Sequence, residues 1–162
     1  MNSICYMDLP DTSAVTNFYH RILYHMVCDI FMPREDATVA ERIRIFRLRK
    51  NLSCKTLAKR IGMSRYAIMY YENNQSEPLL EDLKKIAIAL NVESDRLYDE
   101  YYRFLDYPYT DRIKQIRAEN NLLQRELGAM LGLTRRAIER WEHGKNTVSR
   151  ETWEQLILLK LL

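Results

Sequence analysis

The chain has 162 residues, only four Gly and four Pro, and a formal net charge of +3 at pH 7. Punctuation that sparse predicts an all-α chain, and no stretch alternates with the period of two that a strand needs. Three cysteines, Cys5, Cys28 and Cys54, form an odd count with no short-spaced pair, which argues against a disulfide framework or zinc site and fits a reduced cytosol.

The chain opens without the basic segment of a signal peptide, and no apolar run nears the roughly 20 residues that span a bilayer. A cytoplasmic protein with no membrane segment is therefore expected. Residues 1–37 hold two basic and five acidic residues, net −3. Within them, residues 12–32 predict one amphipathic helix. Val15, Phe18, Tyr19, Ile22, Leu23, Met26, Val27 and Ile30 follow i, i+3, i+4, i+7 spacing. Asp11 or Thr12 caps its start and Pro33 ends it. The stripe needs a cover, either one of the domains that follow or a second chain. His20, His25 and Cys28 share this helix, but a spacing of five residues splits the histidines between faces, so no metal site is expected.

Residues 38–106 predict four helices plus one. They run over 39–50, over 54–61 with Ser53 as cap, over 65–73 with Ser64 as cap, and over 79–90 behind Pro78. Leu83, Ile86, Ala87 and Leu90 mark the buried face of the fourth. Ser94 is expected to cap the fifth, packed through Leu97, Tyr98, Tyr101 and Phe104. Asp106-Tyr107-Pro108-Tyr109 then breaks the chain, since proline disfavours helix in the residue before it. Residues 107–162 repeat the first four helices only. Thr110 is expected to cap 111–120, and 124–131, 135–143 and 150–161 follow, with Leu156 to Leu162 as part of a core helix. The helix at 12–32 is the expected cover for the surface that the missing fifth helix leaves bare. Each of the two segments carries a net charge of +3, a small excess that suits phosphate contact.

The two segments spell one unit twice. Leu57-Ala58-x-x-x-Gly62-x-Ser64-Arg65-x-Ala67-Ile68-x-x-Tyr71-Glu72 recurs 70 residues later as Leu127-Gly128-x-x-x-Gly132-x-Thr134-Arg135-x-Ala137-Ile138-x-x-Trp141-Glu142. Leu57, Ile61, Met63, Ile68 and Tyr71 predict a small apolar core between two helices, matched by Leu127, Leu131, Leu133, Ile138 and Trp141. Ala58 and Gly128 are small enough for a close helix crossing. Gly62 and Gly132 fit a left-handed turn residue, and Ser64 and Thr134 fit N-caps. Such a helix–turn–helix unit is how many small proteins enter the DNA major groove.

Together these residues resemble the Cro/repressor (XRE-type) helix-turn-helix family, in two tandem copies covering 42–92 and 112–162. The resemblance implies an all-α fold of two lambda-repressor-like domains behind an extra N-terminal helix. It implies that Ser64, Arg65, Tyr66 and Tyr70 face DNA in the first copy, and Thr134, Arg135, Arg136 and Arg140 in the second. A family glutamine that touches the DNA backbone is kept as Gln124 but replaced by Cys54. Lys55 and Lys145 join the candidate DNA contacts. The family's structural ion pair looks like Arg47 with Glu72, and Arg117 with Glu142.

The residues by themselves agree in part. Arginine donates twice to the O6 and N7 edge of guanine, and the predicted helix at 135–143 offers three such forks, with Glu139 able to accept from cytosine N4. A plain solvated face with mixed charges is the competing explanation. The predicted helix at 65–73 offers one arginine beside Tyr66, Met69 and Tyr70, a surface that suits thymine methyls, phosphate or a protein partner. Arg49, Lys50, Lys59 and Arg60 either hold phosphate or keep the surface hydrated. No nucleophile–base pattern or phosphate-cradling glycine loop appears, so neither catalysis nor a cofactor is expected.

The expected function is sequence-specific regulation of transcription, as a repressor, with double-stranded DNA as partner and the second copy as the stronger reader. The alternative is a protein-interaction module such as an antitoxin, with the same shape and weak DNA binding. Two arrangements remain open. The tethered copies act as a covalent pseudo-dimer on an asymmetric site, or only the second copy reads DNA and the chain dimerises through the first copy or residues 12–32. The unlikeness of the two recognition helices favours the second.

Overall fold

The computed structural model describes residues 33–34 and 36–162, and every regular element among them is helical. The predicted helix at 12–32, with its apolar stripe, caps and dimer role, lies outside the described residues. Repeat one consists of α1 (Val39–Arg49), α2 (Cys54–Ile61), α3 (Arg65–Glu72) and α4 (Leu80–Leu90), then a 3-10 turn (Ser94–Arg96) and α5 (Glu100–Asp106). Repeat two consists of α6 (Tyr109–Glu119), α7 (Gln124–Met130), α8 (Arg135–Glu142) and α9 (Arg150–Leu158). No helix among the described residues is long and apolar enough to cross a membrane.

Local chemistry sets most boundaries. Thr38 and Glu41 form a reciprocal capping box at α1, with the Glu41 amide 3.2 Å from the threonine hydroxyl and the Thr38 amide 2.8 Å from the carboxylate. Ser53 accepts from the Thr56 amide at 3.1 Å, and Ser149 from the Thr152 amide at 3.3 Å. Asn91 ends α4 in the left-handed region at φ +53°.

Three boundaries depart from the sequence pattern. Ser94 opens only the 3-10 turn. The following helix starts at Glu100, because Asp99 accepts the Tyr102 amide at 3.1 Å and so restarts the chain as a charged cap. Its buried side is Tyr101, Tyr102 and Leu105, below Leu97 and Tyr98, while Phe104 is half-buried. Thr110 is not a cap. α6 starts at Tyr109, and the residue before it, Pro108, has no N–H to satisfy and a φ of −63°. Finally, α9 stops at Leu158 rather than 161. Lys160 turns left-handed at φ +55°, and the Leu161 amide donates to the Leu156 carbonyl at 3.0 Å. That closure folds Leu161 onto the core beside Leu156, and leaves Ile157, Leu158 and Leu159 exposed.

Each repeat has its own core. Ile43, Leu57, Ile68, Leu83, Ile86 and Leu90 are fully buried in repeat one, and Ile113, Ile116, Leu127, Ile138, Val148 and Leu156 in repeat two. Tyr71 and Trp141 are buried at the same point of the motif, whereas Ile61, Met63 and Leu133 sit at its half-buried margin.

Phe104, Tyr109 and Trp153 border both cores, and only Tyr107 and Pro108 separate α5 from α6. α5 lies in the seam. Tyr102 donates to the Pro78 carbonyl of repeat one at 2.6 Å, and the adjacent Tyr101 donates to the Val148 carbonyl of repeat two at 2.9 Å. Positions 78 and 148 are equivalent under the 70-residue offset. Arg150 of α9 pairs with Glu77 and with Asp99 at 2.8 Å, while its guanidinium lies 4.5 Å from the Tyr101 ring centre and 5.5 Å from that of Tyr102. The Tyr101 and Trp153 rings lie 5.8 Å apart.

Candidate nucleic-acid interface

The site begins with the turn. Gly62 and Gly132 take φ of +70° and +64°, a conformation that costs L side chains strain. A Cβ at either would meet nothing within 4 Å, so backbone conformation rather than space selects glycine there. After the turn, Ser64 accepts the Ala67 amide at 3.1 Å and Thr134 the Ala137 amide at 3.3 Å. These caps engage the hydroxyls that the sequence pattern also offered to DNA. The close crossing is tighter in repeat two. The Leu133 amide donates to the Gly128 carbonyl at 2.7 Å, and a Cβ on Gly128 would sit 2.8 Å from the Leu133 carbonyl oxygen. The equivalent Met63–Ala58 bond is 2.9 Å and leaves room for alanine.

Behind each recognition helix sits the expected ion pair. Arg47 meets Glu72 in two parallel bonds, Nε–Oε1 at 2.5 Å and Nη2–Oε2 at 2.7 Å, and donates to the Leu52 carbonyl at 2.6 Å. Arg117 repeats this with Glu142 at 2.6 and 3.3 Å and with the Leu122 carbonyl at 3.0 Å. Both pairs are largely buried and fix the first helix of each repeat to the end of its recognition helix.

The glutamine position belongs to this network. Gln124 Nε2 donates to Glu142 Oε2 at 2.8 Å, and Cys54 Sγ stands 3.8 Å from Glu72 Oε2. Burial would raise the Glu142 carboxyl, but hydrogen bonds from Arg117 and Gln124 outweigh it and hold the group below the ordinary carboxylate value. Burial and then the Glu72 charge push the Cys54 thiol up, so it stays protonated and donates.

The outer surfaces differ. Along α8, Arg135, Arg136 and Arg140 are all exposed, and Arg136, Glu139, Arg140, His143 and Lys145 line a groove of about 240 Å³. Arg135 lies 3.7 Å from Glu139, so that carboxylate is shared inside the helix. His143 is exposed and donates through Nδ1 to the Glu139 carbonyl at 2.6 Å. Along α3, Tyr66 is 63% and Tyr70 48% exposed. Arg44, Lys55, Arg65 and Met69 line a second groove of about 430 Å³, together with Cys54 and the Arg47–Glu72 pair.

Sequence spacing missed Arg44 and His143. Arg44 precedes Arg47 by three residues on α1, where Lys114 precedes Arg117 on α6, so the repeat alignment held a signal for that position. Lys114 is paired with Asp111 at 3.2 Å. Among the other basic candidates, Arg60 donates to the Ala89 carbonyl at 3.3 Å, and Arg49 lies 5.8 Å from the Phe46 ring centre. No group of His, Cys, Asp and Glu among the described residues is placed to hold a metal ion.

A family model described as helix-turn-helix matches residues 43–97 and 113–158, one match on each repeat. No curated protein and no solved structure matches the chain.

Proposed function

The chain belongs to the Cro/repressor-type helix-turn-helix family of DNA-binding regulators, and from that premise we propose that it is a sequence-specific repressor. It acts in the cytoplasm without catalysis, with residues 38–106 and 107–162 as its two domains and repeat two as the stronger reader. One observation carries the second half of this proposal. α8 projects Arg135, Arg136 and Arg140 from one short helix anchored at its end by the Arg117–Glu142–Gln124 network. Guanidinium groups held on so short and braced an element suit bidentate contact with guanine. Lys145, Lys55 and Arg44 would hold phosphate and set register. Gln124 would touch the backbone only by leaving Glu142 or by using its free carbonyl.

The exposed Tyr66 and Tyr70 support a second reading for repeat one, as a surface for a protein partner, in the manner of an antitoxin. Dimerisation through residues 12–32 belongs to the same open set. Random-site selection followed by fluorescence anisotropy at two salt concentrations separates these readings. A repressor enriches one consensus, and Arg136→Ala weakens binding to it by about 1–3 kcal/mol. Weak binding with no enriched sequence, lost at moderate salt, would sink the proposal and favour the partner-binding module.

A further inference from the structure

Resting on the DNA-reading role proposed above, we infer that one copy of this chain reads a bipartite, asymmetric DNA site, because the seam between the repeats locks α3 and α8 at one spacing. Three observations lead there.

The segments that follow α3 and α8 come together at the seam. The segment that follows α3 contributes Glu77, and the segment that follows α8 leads into Arg150, and these two side chains pair across the seam. α5 sits between the equivalent carbonyls of Pro78 and Val148 and binds both through neighbouring tyrosines. The segments that follow α3 and α8 thus converge on α5, which ties the two repeats together at that edge. Two helix-turn-helix units joined into one body address two half-sites of one duplex.

The seam also has little slack. Only Tyr107 and Pro108 join α5 to α6. Tyr101, Tyr102 and Val148 are all buried, and Arg150 is held at once by two carboxylates and two aromatic rings. Arg150 is half-buried, and it makes these four contacts together only in this one arrangement. A second reader held this way is ordered before DNA arrives, so its binding is intramolecular.

The two readers, finally, are chemically unlike. α8 offers three arginines, which suit guanine, and α3 offers one, Arg65, beside the exposed rings of Tyr66 and Tyr70, which suit thymine methyls. The site is therefore a guanine-containing block and a thymine-containing block at fixed spacing, occupied by one chain, and not a palindrome shared by two chains.

The test uses the full chain and a duplex carrying its selected consensus. Sedimentation of the labelled duplex gives the stoichiometry, and duplexes with five base pairs inserted between the blocks turn one block to the far side of the helix. The expected results are two unlike blocks, one chain per duplex, and a loss of roughly 5–150-fold on insertion, the value of about one good base contact or more. Arg150→Ala, and separately Glu77→Gln, should shrink that spacing penalty while circular dichroism stays native. The spacing measurement on the unmodified chain decides the matter if either variant misfolds. A palindrome bound by two chains, a single block, or indifference to the insertion overturns the inference and leaves the repressor role standing. Failure to enrich any sequence overturns both.

Discussion

Gly128→Ala is the sharpest test of how repeat two is built. Inside a helix this change normally stabilises by about 1 kcal/mol, through lower backbone entropy in the unfolded chain. Here the new methyl would lie 2.8 Å from the Leu133 carbonyl oxygen, with Thr134 backbone atoms at 3.2 and 3.3 Å, where ordinary contact starts at 3.4 Å. The obstacle is the backbone of the turn itself, so no side-chain rotation relieves it. Overpacking of this kind costs about 1–3 kcal/mol, and a rigid neighbour puts the cost at the upper end. The net expectation is a loss of about 1–2 kcal/mol, or a Tm lower by roughly 2–8 °C for a chain of this size. Both tryptophans, Trp141 and Trp153, lie in repeat two, so urea unfolding followed by tryptophan fluorescence reports on the repeat that was changed. Ala58→Gly in repeat one is the counterpart, expected to lose about 1 kcal/mol from helix propensity alone. A Gly128→Ala protein as stable as the parent, or more so, would refute the claim that this crossing admits no Cβ.

Glu142→Gln should destabilise repeat two by about 3–5 kcal/mol, since it leaves the Arg117 charge without its carboxylate, and the same fluorescence titration measures it. The Glu142 carboxyl is lowered in the folded state, so its contribution is complete above the unfolded carboxylate range and disappears as pH falls through the folded value. The parent should accordingly lose stability on acidification in a step that the glutamine variant lacks. At the other end of the scale, burial pushes Tyr71 and Tyr98 up to about 12, with Asp82 adding to the effect at Tyr71. Their contribution is present below the unfolded value near 10 and shrinks as pH rises toward 12, because only the unfolded chain ionises there. Tyrosine absorbance should therefore show a late-titrating class that merges with the rest in denaturant, and a single transition near 10 in the native chain would contradict that burial.

Much of the candidate site was legible because the motif is local. The caps at Ser53, Ser64 and Thr134, the left-handed Gly62 and Gly132, and the buried Leu57, Ile68, Leu127 and Ile138 depend on neighbours within one or two turns. The Arg–Glu pairs were legible for another reason. The family resemblance supplied a contact across 25 residues that spacing alone does not specify. Arg44 escaped because it comes from α1 and meets Lys55 and Arg65 only when three helices pack. Ser94 misled because a serine cap looks sound until Asp99, five residues on, supplies a charged alternative that starts α5.

The sequence by itself determined the all-α class, the two copies of the motif and the chemical unlikeness of α3 and α8. Periodicity, caps and turn residues act through short-range sterics and hydrogen bonds, and those are written in consecutive residues. What only the tertiary structure decided is how the copies stand against each other. The sequence left open a tethered pair or a dimer of chains, and the buried tyrosines of α5, Trp153 and the compensated charge of Arg150 join the two copies of one chain through surfaces far apart in it. Such a seam depends on which long-range surfaces come to lie together, and no local pattern encodes that.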